Sequence, residues 1–167
     1  YKQLWGPFVL KGNFESGLIT SRKPDGVPLF ERYFLGGIFD VRGYRLRTIA
    51  PRLQLPLSQD PNAALVSNGA VIGGNIQGYY NLEVEFPILT AVGFRGVIFS
   101  DGGNVFNSEA QYCGAGGTGL ASVVDPCTRF QDNPLNLRFS AGFGVRWQSP
   151  LGLLRFALAG KFTYPYL

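Results

Sequence analysis

The chain carries few side chains capable of covalent chemistry. Its 167 residues include no histidine, no methionine and two cysteines, Cys113 and Cys127. Without histidine the commonest general base is missing, and two thiols cannot assemble a four-Cys or Cys/His zinc site. A glycine cluster, Gly114-Ala115-Gly116-Gly117-Thr118-Gly119, lacks the Lys-Ser/Thr pair and the following helix that a phosphate-binding loop requires. What remains is charge. Fifteen Lys and Arg stand against eleven Asp and Glu, and the basic residues are scattered rather than run together as nucleic acid demands. We expect no catalytic residue, no metal, no cofactor and no nucleic-acid partner. The chemistry open to this chain is ion pairing between residues held on common surfaces.

The elements that would hold those residues are strands. The sequence has 23 Gly, 14 Phe, 8 Tyr and 2 Trp, and only 16% of its residues are charged, against a typical ~25%. Two-residue alternation dominates, most clearly over 135–148. There Leu137, Phe139, Ala141, Phe143, Val145 and Trp147 share one face, and Arg138, Ser140, Gly142, Gly144 and Arg146 share the other. A second run, 76–86, sets Tyr80, Leu82, Val84 and Phe86 against Gln77, Tyr79, Asn81, Glu83 and Glu85, and Pro87 is expected to stop it. A third, 92–101, places Arg95 and Asp101 on one side. Weaker candidates at 8–18 and 153–162 bring the expected strands to five. Their connections alternate between short turns, at 88–90 and 149–152, and long loops, at 19–74 and 107–134.

Short turns at one end and long loops at the other describe an outer-membrane β-barrel. Alternating runs of ten to fourteen residues match the ~9–11 that cross a bilayer and exceed the ~5–6 of soluble strands. A soluble sandwich or lipocalin-like barrel, with the apolar face turned inward, is the competing reading. Five strands are too few to close a membrane barrel, whose smallest examples use about eight. The expected fold is therefore all-β: an antiparallel transmembrane barrel of which this chain supplies about five to six strands. The sequence opens without a signal peptide, so it is expected to begin in mid-protein or after processing.

Four segments in sequence order resemble one family. Gly36-Gly37-Ile38-Phe39-Asp40-Val41-Arg42-Gly43-Tyr44 resembles the Gly-Gly…Val-Arg-Gly-Phe/Tyr loop of outer-membrane assembly factors and their relatives. Leu82-Glu83-Val84-Glu85-Phe86-Pro87, Phe99-Ser100-Asp101-Gly102-Gly103-Asn104-Val105-Phe106, and 142–156 with its Ser149-Pro150-Leu151-Gly152 turn and Arg155-Phe156 follow as in the BamA-like branch. The terminal Tyr164-Pro165-Tyr166-Leu167 does not match that family's closing strand. The resemblance implies that residues 1–167 are the C-terminal part of an outer-membrane barrel of about sixteen strands, with the loop 19–74 folded into its lumen.

It further implies a clamp in which Arg42, flanked by Gly43 and Tyr44, contacts Glu85 and Asp101 on the inner wall. Alternation agrees that both acids lie on the polar faces of consecutive strands, and a guanidinium can bond two carboxylates at once. By residues alone, an exposed loop arginine is the commoner case. Glu83, Arg95, Arg138 and Arg146 are expected to be ordinary lumen lining. Cys113 and Cys127, in the loop 107–134, are expected to pair in an oxidising exterior.

The function implied is a non-enzymatic insertase that folds and inserts β-barrel proteins into the bacterial outer membrane. Its implied partners are unfolded outer-membrane β-barrel clients, accessory assembly lipoproteins and outer-membrane lipid. A two-partner secretion transporter, which shares the Val-Arg-Gly-Tyr element, and a passive porin are the alternatives.

Overall fold

The structure is a computed structural model that describes residues 2–3, 6–22, 26–53, 70–108 and 137–162. Eight strands lie among them: β1 (Lys2–Gln3), β2 (Val9–Leu18), β3 (Arg52–Leu53), β4 (Ala70–Val71), β5 (Ile76–Leu89), β6 (Phe94–Phe106), β7 (Arg138–Ser149) and β8 (Gly152–Phe162). Six form one antiparallel sheet in the order β1-β2-β5-β6-β7-β8, and β3 pairs with β4. The five long strands are those the alternation predicts.

Two of them run further than expected. β5 continues through Pro87 to Leu89, because the register with β6 shifts between Pro87 and Leu89. An irregularity of this kind absorbs a residue that cannot donate a ladder hydrogen bond. The turn therefore falls later, as a 3-10 turn over Thr90–Val92 closed by Gly93. β6 extends past Asp101, its Gly102, Gly103 and Asn104 pairing with Tyr80, Tyr79 and Gly78. The turn joining β7 to β8 lies at 149–152, where the Ser149 hydroxyl donates to the Gly152 carbonyl at 2.7 Å.

The two faces of the sheet differ as a membrane wall requires. On one side Phe14 is 75% exposed, Phe143 62% and Leu158 67%. At its short-turn end Phe94 and Trp147 stack with ring centroids 5.2 Å apart, at the position of an interfacial aromatic girdle. The opposite, polar side is covered by the segment 26–53. There Leu35, Val41, Ile49 and Ala50 of the segment pack with Tyr79 of β5 and Val105 of β6 in a single apolar cluster. Leu35 and Ile49 exchange backbone hydrogen bonds at 3.0 Å, and Tyr33 and Gly74 exchange a pair at 2.8 and 3.1 Å, so the segment is stitched to itself and to the residues that lead into β5. A soluble sandwich would bury the phenylalanine face; here that face is bare and the charged face is covered. Cys113 and Cys127, with most of the expected loop 107–134, lie outside the described residues.

Candidate functional site

The site is built where the covering segment meets the wall. Gly36, Gly37 and Gly43 adopt φ of +106°, +124° and +87°, values that side-chain-bearing residues resist. Between them Val41 is fully buried in the apolar cluster, which fixes the backbone one residue ahead of Arg42.

Arg42 then meets Asp101 in three places. Its backbone N–H donates to Asp101 Oδ2 at 3.1 Å, its Nε to the same oxygen at 2.7 Å, and its Nη2 to Oδ1 at 2.7 Å. A fourth donor, Asn81 Nδ2, reaches Oδ1 at 3.0 Å and also donates to the Asp40 carbonyl. Asp101 is completely buried, so these four donors replace all of its water. The remaining arm of the guanidinium, Nη1, donates to Glu83 Oε1 at 2.6 Å. The Phe99 ring lies beneath, its centroid 3.6 Å from Arg42 Cζ, a cation-π contact. Burial alone would push the Arg42 pKa down, but hydrogen bonding and charge from Asp101, then Glu83, outweigh it and raise it. The group stays charged.

Two neighbours complete the seat. A Cβ at Gly142 would lie 2.1 Å from the Leu158 carbonyl oxygen of β8 and 2.6 Å from the Phe99 ring, so the glycine makes room both for the neighbouring strand and for the ring that carries Arg42. A Cβ at Gly43 would come within 3.2 Å of the Ala159 Cβ, so the loop tip rests on β8. Tyr44 packs at the edge of the apolar cluster and its hydroxyl donates to the Phe139 carbonyl at 3.3 Å. Its phenol pKa is raised by burial, a shift that Arg138 partly offsets.

The clamp expected between Arg42 and Glu85 does not form; the second acid is Glu83. Register explains the exchange. Asp101 stands opposite Asn81, while Glu83 and Glu85 stand opposite Phe99 and Val97. Successive residues on one strand face are ~6.6–6.8 Å apart, so Glu83 is one step from the Asp101 level and Glu85 two, beyond the span of one guanidinium. Glu85 instead binds Lys11, Arg95 and Arg146. Arg146 also pairs with Glu83, which makes both residues links in a chain of charges rather than passive lining. Glu83 and Asn81 were visible as polar-face positions, and Phe99 shares the alternating face of Arg95 and Asp101. Their alignment with Asp101 depends on register, which alternation within a single strand leaves undetermined.

A wall of long antiparallel strands, oily outside and charged within, with a loop locked to its inner face, defines part of a transmembrane β-barrel. The Omp85 superfamily domain matches residues 2–165, and the chain belongs to that family. It is 32% identical over 94% of its length to the outer membrane protein assembly factor BamA of Nitratidesulfovibrio vulgaris, and 30% identical over 80% to that of Neisseria meningitidis serogroup B. It spans about 16% of the length of each. The crystal structure of BamA from Haemophilus ducreyi lacking POTRA domains 1–3 superposes on 95% of this chain and 29% of its own, with a TM-score of 0.73 at 23% identity. The protein is a bacterial outer-membrane protein.

Proposed function

We propose that this chain is the loop-bearing wall of an assembly factor that inserts β-barrel proteins into the outer membrane. Two curated relatives at 30% identity or more bear that name, and the observation that carries the reading is the Arg42–Asp101–Glu83 clamp. A porin needs an open channel; a buried charge network that holds a loop against the inner wall keeps this one furnished. The work requires no catalytic side chain. A client strand would template on an exposed strand edge through backbone hydrogen bonds, while the barrel disturbs the bilayer beside it. Unfolded β-barrel clients, accessory assembly lipoproteins and outer-membrane lipid are the partners of this reading.

The test is complementation with full-length protein. Cells depleted of the native factor and supplied with an Arg42→Ala variant should lose folded outer-membrane porins, because removing the guanidinium leaves the buried Asp101 without its charge partner at a cost of about 3–5 kcal/mol. Full complementation together with an unchanged unfolding midpoint would contradict the reading.

A further inference from the structure

The Arg155 end of the Ser-Pro-Leu-Gly motif takes no part in the loop anchor. Register places Arg95 of β6 opposite Arg146 of β7, and Arg146 opposite Arg155 of β8. Three arginines thus stand in one row across three adjacent strands on the inner face, an arrangement that is unfavourable unless anions intervene. For two of them anions do. Arg146 Nη1 is 3.0 Å from Glu85 Oε2 and its other arm pairs with Glu83, while Arg95 Nε is 2.5 Å from Glu85 Oε1. Arg155 has no ion pair among the described residues.

Lys11, Arg95, Arg146 and Arg155 line a hollow of about 220 Å³ in which Glu85 is the sole acidic lining residue among the described residues. These four cations meet Glu85 and, through Arg146, Glu83, so positive charge remains in excess. The volume equals about seven waters, room for a side-chain carboxylate. The hollow opens beside Gly93 and Leu153, next to the two short turns, and short turns mark the periplasmic end of such barrels. The neighbouring forks already hold carboxylates, which sets the ligand chemistry.

We propose that this hollow receives the carboxylate of an acidic peptide side chain entering from the periplasmic end, with Arg155 as the receiving fork. The inference needs only the outer-membrane barrel, so it stands or falls apart from the insertase reading. Its test uses full-length protein in detergent micelles and two labelled peptides, one bearing two glutamates among neutral residues and the other bearing glutamines in their place. The glutamate peptide should bind wild-type protein about tenfold more tightly than the glutamine peptide, the preference expected of one charge-assisted fork. Arg155→Gln should erase that preference and Arg155→Lys should retain part of it. Equal binding of the two peptides, or an unaltered preference in a folded Arg155→Gln protein, overturns the proposal. Should Arg155→Gln fail to fold, salt decides: the preference must fade in wild-type protein by about 0.5 M NaCl, where screening is severe. Persistence at that salt overturns the proposal equally.

Discussion

Two regions of one wall use the same residue types to opposite ends. At the loop anchor a single guanidinium is matched by two acids, and Asp101 is sealed from water with four donors upon it. Toward the short turns Lys11, Arg95 and Arg146 share Glu85 beside Arg155, and the side chains of Lys11 and Arg95 remain 40% and 43% exposed. Charge balance and burial, not the presence of arginine, separate a lock from a receiving surface. A closed, balanced network fixes one partner, since losing either side strands a buried charge. An open, unbalanced one tolerates loss and has charge left over.

The largest effect that would break this contrast is at Asp101. Asp101→Ala removes the acceptor of four hydrogen bonds and should lower barrel stability by about 3–5 kcal/mol in urea unfolding from micelles; a loss under about 1 kcal/mol would mean that the anchor is as forgiving as the open end. Double-mutant cycles sharpen it next. Arg42 and Glu83 should couple by about 1–3 kcal/mol, whereas Arg42 and Glu85 should be additive within about 0.5 kcal/mol. Equal coupling to both acids would restore the clamp that the resemblance implies.

Gly43→Ala comes third. With φ at +87° and Ala159 close by, the added methyl should cost about 1–2 kcal/mol and shift loop-anchored properties, such as protease resistance of residues 26–53, before the sheet itself unfolds. The smallest effect is at Asp40, whose pKa is raised from 3.8 first by burial and then by Glu15. A carboxyl with a raised folded pKa contributes stability below its unfolded pKa and loses it as pH climbs through the folded value. Asp40→Asn should therefore stabilise the barrel at neutral pH, by no more than a few tenths of a kcal/mol given solvent screening, and make no difference near pH 3. A stabilisation that grows as pH falls would reverse the sign.

Much of the fold was legible because a strand with one oily and one wet face writes its geometry into every second residue. β7 needed nothing more than the alternation of Phe139, Ala141, Phe143 and Val145 with Arg138, Ser140, Gly142 and Gly144. What one strand cannot specify is its offset against the next. Pro87 read as a stop because a proline breaks a regular ladder, and the register shift that accommodates it is a property of the pair. The same blindness substituted Glu85 for Glu83 at Arg42: both lie on the correct face, and only the pairing of Asp101 with Asn81 picks between them. Phe99 escaped notice for a different reason. An aromatic on a polar face reads as an exception to the pattern until an arginine is seen resting on it.

Arg42 holds the inserted loop against the inner wall, with Gly43 touching β8. Cysteines introduced at Gly43 and Ala159, with Cys113 and Cys127 replaced by serine, place two Cβ atoms close to the ~3.8 Å separation of a disulfide, and mild oxidation of the full-length protein in its membrane reads their proximity directly. Cross-linking should be rapid when Arg42 is present and markedly reduced in an Arg42→Ala background. No cross-link with Arg42 intact, in a protein that has folded, would contradict this placement of the loop.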